Sequence, residues 1–172
     1  FFLVQIETFE PETLESYELG FKSILFDQSL RLNGAIFFND YADIQLQQTQ
    51  CELPFPPFFG GPCLQPGNVG SADVWGIELE AEYAPTDSLL FDASLSTLDF
   101  EYQELSSSVA VTLDMITPYT PEMKWSIGGQ YTWPMGDLGS FTARIDASYQ
   151  DDVYGVAING PTNLIDSYVL SN

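Results

Sequence analysis

The sequence predicts an all-β chain, an antiparallel up-and-down meander of about seven strands that forms part of a transmembrane β-barrel. Three observations predict it. Apolar and polar residues alternate with a period of two over stretches of about ten residues, the strand period and not the 3.6 of a helix. The links between these stretches are alternately short and long. Aromatic residues gather at the ends of the apolar faces and leave Leu, Ala, Ile and Gly in the middles.

The first stretch places Tyr17, Leu19, Phe21, Ser23 and Leu25 on one face and Glu18, Gly20, Lys22, Ile24 and Phe26 on the other. The second sets Leu30, Leu32, Gly34, Ile36 and Phe38 against Arg31, Asn33, Ala35, Phe37 and Asn39. In the third, Trp75, Ile77, Leu79, Ala81 and Tyr83 oppose Gly76, Glu78, Glu80 and Glu82. The fourth, Leu89 to Tyr102, changes parity, with Phe91, Ala93 and Leu95 on one face and Leu98, Phe100 and Tyr102 on the other, so a bulge is expected near Thr97. Met123, Trp125, Ile127, Gly129, Tyr131 and Trp133 define the fifth, and Phe141, Ala143, Ile145, Ala147 and Tyr149 the sixth. A seventh is expected from Leu164. Tight-turn residues fill Asp27-Gln28-Ser29, Pro85 to Ser88 and Pro134 to Gly139, whereas Gln47–Ser71, Gln103–Thr120 and Asp151–Asn163 read as long links. A meander puts all short turns at one end and all long loops at the other, the asymmetry of outer-membrane barrels.

Composition removes several alternatives. With 25 acids against 4 Lys and Arg, the net charge of −21 opposes nucleic-acid binding by a basic face. Apolar residues still make up 45% of the chain, and the acids are scattered among them, so the charge does not imply disorder. No run approaches the ~18 to 20 apolar residues of a membrane helix. The opening Phe1-Phe2-Leu3-Val4-Gln5-Ile6-Glu7 has neither an initiator Met nor a basic leader and reads as the interior of a longer protein.

Alternation alone also suits a soluble sheet with one wet face. The aromatics separate the two. Trp75 and Tyr83, Trp125 and Trp133, and Phe141 and Tyr149 are each eight residues apart on one parity. At a tilt near 45°, eight residues climb roughly 19 Å, close to the ~25 Å band between the aromatic girdles of a membrane barrel. Seven strands are odd in number and would leave two open edges in hydrocarbon, so flanking strands outside this sequence are expected.

Specific runs then resemble the TonB-dependent outer-membrane receptors. Phe9-Glu10-Pro11-Glu12 with Ser16 to Lys22 is similar to one strand of that family; Leu30 to Phe38 with Asp40-Tyr41 and Asp43-Ile44-Gln45 resembles the next. Asn68 to Ala72 followed by Gly76-Ile77-Glu78-Leu79-Glu80 resembles a third, and Pro121 to Trp125 and Tyr168 to Asn172 look like the starts of two more. The resemblance covers nearly the whole chain. It implies a barrel of 22 strands in the bacterial outer membrane, with residues 1–172 as a partial barrel from which the plug domain and the closing strands are absent. It also implies energy-coupled uptake of a scarce ligand, a ferric siderophore foremost, with TonB acting through the plug. A passive porin-type barrel and a soluble extracellular β-sandwich binding module are the alternatives.

No catalytic residues, metal site or cofactor are expected, because the chain has no His and no nucleotide-binding or EF-hand pattern. The outer-membrane lipid is the expected partner of the girdle aromatics. Polar residues of the opposite face, Glu18, Lys22, Arg31, Glu78, Glu80, Glu82, Arg144 and Asp146, are expected to line a lumen, where they solvate the interior and bond the plug or meet cargo. Cys51 and Cys63 flank a Pro-rich stretch and read either as a loop disulfide or as two free thiols. Between them Phe55, Phe58 and Phe59 stand on a stiff backbone, a candidate ligand-binding lip for a metal–siderophore complex or a loop packed on its neighbours.

Overall fold

The computed structural model describes residues 9–51 and 61–172, with side chains described outside 50–64. Phe55, Phe58 and Phe59 therefore lie outside the described residues, as do the side chains of Cys51 and Cys63. The strands are β1 (Thr13–Leu25), β2 (Leu30–Cys51), β3 (Gly61–Thr86), β4 (Leu89–Leu105), β5 (Met123–Pro134), β6 (Ser140–Gln150), β7 (Val153–Tyr154), β8 (Leu164–Ile165) and β9 (Tyr168–Ser171). Seven of them form one sheet in the order β1-β2-β3-β4-β5-β6-β9, each antiparallel to its neighbours. The meander follows from the turns. Gly136 and Gly139 supply the left-handed positions (φ +60° and +97°) that the β5–β6 turn requires. The β1–β2 turn places Phe26, Asp27 and Gln28 at φ 52°, 53° and 73° and closes with the Ser29 amide donating to the Phe26 carbonyl at 3.0 Å.

Residues facing one another across an antiparallel rung lie on the same face of a sheet. The predicted apolar faces coincide rung by rung, as in Leu19–Ile36–Ile77 and Tyr83–Phe91–Gly129–Ile145. That face is uncovered: Leu19 is 76% and Ile145 75% exposed. Among the described residues the buried apolar side chains are Ile44, Val69, Ala72, Tyr102, Val111 and Val153, all at the long-loop end of the sheet or in the loops themselves.

Three details differ from the sequence-based expectation. Pairing of β3 with β4 runs unbroken through Thr97 and shifts only at its ends, between Tyr83 and Thr86 and between Ser71 and Ala72, opposite Gln103. Leu98, Phe100 and Tyr102 thus stay on the polar face, where Tyr102 is buried against Ala72, Ile44 and Val111, with Phe100 beside them. The link expected over Gln47–Ser71 is largely strand, because β2 and β3 pair out to Cys51 and Gly61. Leu164 and Ile165 pair with Tyr154 and Val153, and the strand that joins the main sheet starts at Tyr168.

Candidate functional site

The apolar face ends abruptly at the long-loop side. The rung Tyr17–Phe38–Trp75–Asp99 is followed, on the same face, by Glu15–Asp40–Asp73–Glu101, four carboxylates side by side. Like charges directly opposite one another repel, and a charge facing lipid costs most at the bilayer midplane and at most ~1 kcal/mol near an interface. Such a row belongs in water. Two aromatics turn their polar ends the same way, Tyr17 donating to Glu15 at 3.0 Å and Tyr149 to Asp151 at 2.9 Å, while the Trp75 indole donates along its own rung to Asp99 at 2.9 Å.

The two aromatic edges are parallel. The rung of Trp125 passes through Leu95 to Leu79, four residues beyond Trp75, and the rung of Tyr83 passes through Phe91 to Gly129, four residues short of Trp133. In strands tilted by ~45° and ~4.8 Å apart, one rung climbs about 1.5 residues per strand, or about three over the two strands from β3 to β5. Both edges therefore shift together, as those of a level band crossing slanted strands must. The β5–β6 partners carry the band onward, with Trp125 stacked on Tyr149 at 5.9 Å and Trp133 beside Phe141 at 5.5 Å.

On the other face the structure brings together all eight predicted polar residues. Glu18, Lys22, Arg31, Glu78, Glu80, Glu82, Arg144 and Asp146 share one parity through the rungs Lys22–Asn33–Glu80 and Arg31–Glu82–Asp92–Gly128–Asp146. Arg144 is the centre of its half. Its guanidinium reaches Asp92 on β4 at 2.7 Å and Asp146 on its own strand at 2.5 Å. It crosses β5 over Gly128, where a side-chain carbon would collide with the guanidinium and both carboxylates. On β1–β3 the partners are looser: Arg31 and Glu82 are 3.8 Å apart, and the Asn33 amide donates to Glu80 at 3.3 Å. A recess of about 500 Å³ opens there, lined by Glu18, Lys22, Asn33, Glu78 and Glu80.

Above the band, loops cover the polar face. The β4–β5 loop packs Val111 and Met115 onto Tyr102, whose phenol is pushed above its ordinary pKa by burial, against the opposing hydrogen bond with Thr117. Asn159, in the link between β7 and β8, accepts from the Ile116 amide at 2.6 Å and donates to the Ile116 carbonyl at 3.1 Å, joining two loops. Tyr41 donates to Glu12 at 2.6 Å, and this bond raises the phenol to about 12. The Asp114 carboxyl is lowered by the Thr112 hydroxyl at 2.6 Å.

A family model described as TonB dependent receptor-like, beta-barrel matches residues 2–172. The chain belongs to that family. It is accordingly part of a TonB-dependent receptor barrel of the bacterial outer membrane, and the soluble sandwich is set aside. Solved structures agree on the fold. The ferric yersiniabactin uptake receptor FyuA from Yersinia pestis superposes with a TM-score of 0.68 at 18% identity, over 93% of this chain and 21% of that one. The siderophore receptor PiuA from Acinetobacter baumannii gives 0.66 at 24% identity, over 95% and 22%. The copper transporter OprC gives 0.63 at 19% identity, over 96% and 23%. The receptor segment thus spans between a fifth and a quarter of the length of these structures.

Sequence reasoning did not single out two residues on which the Arg144 cluster depends, Asp92 and Gly128. Asp92 was within reach of parity alone, since it alternates with the apolar Phe91 and Ala93. Gly128 was not, because its role is the space it leaves for an arginine on the next strand.

Proposed function

We propose that the chain supplies a wall and part of the mouth of an active importer: energy from TonB, passed through a plug domain inside the barrel, drives uptake of a scarce ligand, a ferric siderophore foremost. Membership of the TonB-dependent receptor family along residues 2–172 is the observation that carries this reading. The names of the similar structures, a ferric yersiniabactin uptake receptor, a siderophore receptor and a copper transporter, favour a metal or a metal complex as cargo. In this reading Trp75, Tyr83, Trp125, Trp133, Phe141 and Tyr149 are girdle residues whose apolar bodies face lipid, with the polar tips of the Trp and Tyr members reaching the interfaces. The recess between Glu18, Glu78 and Glu80 receives the plug, and no residue has a catalytic task. Phe55, Phe58 and Phe59 form a lip that touches cargo, on a loop held by a Cys51–Cys63 bridge that would restrict the unfolded chain by about 3 kcal/mol.

The test is uptake by the full-length receptor as the sole outer-membrane route, with a panel of ferric siderophores under iron limitation, in cells with and without functional TonB. Uptake that requires TonB is the expected result. Equal uptake without TonB would make the protein a passive barrel. Serine at Phe55, Phe58 and Phe59 together should weaken binding of the transported panel member at unchanged barrel yield; unchanged affinity would remove the lip from the site.

A further inference from the structure

The β2–β3 hairpin changes character at one level. Up to Tyr41–Ala72 its rungs are unbroken; beyond them Ile44 pairs with Gly70, so β2 carries one extra residue, and Gln45 pairs with Asn68, so β3 carries one extra residue in turn. The first insertion includes Asp43 at φ 57°, and the second is Val69, buried at 4% exposure. A bulge bends its strand and raises its twist. Two bulges on facing strands restore the register but leave a bent knuckle. Outside it, residues 44–49 and 65–69 form an arm that continues the hairpin beyond the aromatic band.

Two side chains straddle this knuckle. Glu12, just before β1, accepts with one carboxylate oxygen from Tyr41 below the knuckle at 2.6 Å and with the other from the Gln45 amide above it at 2.7 Å. Asn68, in the arm, donates to the Asp43 carbonyl at the knuckle itself at 2.7 Å. It also grips the backbone of Glu10, donating to its carbonyl at 2.9 Å and accepting from its amide at 2.7 Å. Gln45 adds a bond to the same Glu10 carbonyl at 3.2 Å. Two runs singled out in the sequence, Phe9 to Glu12 and Asn68 to Ala72, thus meet around one bend.

We propose that Glu12 and Asn68 form a clasp that sets the inclination of the outer hairpin arm, so that the arm pivots about Asp43 and Val69 only when the clasp opens. The inner side of the arm has its own ties, the Ser106 amide to the Val69 carbonyl at 2.7 Å and the Thr49 amide to the Ser108 carbonyl at 2.8 Å. The clasp is what holds the opposite side. It follows from the knuckle and its partners and is independent of which cargo the receptor takes.

The experiment compares the full-length receptor in lipid nanodiscs with its Glu12→Ala/Asn68→Ala variant. Spin labels at Gln47 on the arm and Asp87 at the short turn report the arm's position by pulsed distance measurement, and hydrogen exchange reports residues 44–49 against residues 31–40 below the knuckle. The proposal expects a broader or displaced distance distribution. It also expects arm exchange faster by at least about fivefold, the change that corresponds to one typical hydrogen bond, with residues 31–40 unchanged. An unaltered distribution would overturn it, and so would exchange rising equally on both sides of the knuckle, which would mean a loosened barrel. If the double variant does not assemble, Asn68→Asp, which keeps the acceptor for Glu10 and loses both donated bonds, faces the same two criteria.

Discussion

The two halves of the polar face solve the same problem differently. On β4–β6, Arg144 bridges Asp92 and Asp146 and closes a compact triad over Gly128. On β1–β3, Glu18, Glu78, Glu80 and Glu82 are matched by Lys22 and Arg31, and the closest ion pair among these six side chains is Arg31–Glu82, 3.8 Å long with both side chains more than half exposed. The two halves of one sheet, joined through the rung Arg31–Glu82–Asp92–Gly128–Asp146, thus differ in whether the charges are satisfied within the wall. The triad is complete as it stands. The β1–β3 recess leaves carboxylates that a second surface can use, and under the proposed function that surface is a plug bringing donors of its own.

The contrast is broken most strongly by filling the space that permits the triad. Gly128→Val puts carbon where Arg144, Asp92 and Asp146 meet, and overpacking of this kind costs about 1 to 3 kcal/mol. The urea midpoint of the full-length receptor in nanodiscs should fall, with Gly129→Ala one position along, on the opposite face and beside only Phe91, as a nearly silent control. Equal losses at the two glycines would mean that any side chain there disturbs the strand, and that the triad has no special claim on Gly128.

A smaller effect is expected from Arg144→Ala, which removes the cation and leaves two carboxylates facing each other across β5. The midpoint should drop at low ionic strength and recover part of the way in high salt, because repulsion between partly exposed charges is screened. Asp92→Asn in the same background should restore stability, since it removes one of the two charges left facing each other. A salt-independent loss would assign Arg144 a packing role instead.

How far the sequence could be read follows from the same physics. Alternation told the two faces apart from Leu19 to Ile145 because each strand between lipid and water must repeat the pattern by itself. It failed wherever the environment changes along a strand. Phe100 and Tyr102 looked like part of a parity switch because the loop carrying Val111 covers the polar face there, a contact between segments that no local pattern announces. The outer arms of β2 and β3 looked like a loop because Gln47, Gln48, Gln65 and Pro66 lie beyond the band, where neither face needs to be apolar. The row Glu15, Asp40, Asp73 and Glu101, which marks the band's edge, is assembled from four strands and emerges only once their register is known.

The smallest change is expected from Arg31→Ala. Its pair with Glu82 is long and exposed, and such pairs contribute ~0 to 1 kcal/mol, so in a barrel stripped of its plug the urea midpoint should stay within error of the unmodified barrel. The complete receptor sharpens the comparison. If the recess beside Arg31 and Glu82 receives the plug, removing the cation changes the charge that the plug meets, and the complete receptor should shift where the stripped barrel does not. A shift in both would mean that Arg31 stabilises the wall itself, and the two halves of the polar face would then differ in degree and not in kind. No shift in either would place Arg31 in water on both counts and confine the plug's contacts to the carboxylates deeper in the recess, Glu18, Glu78 and Glu80.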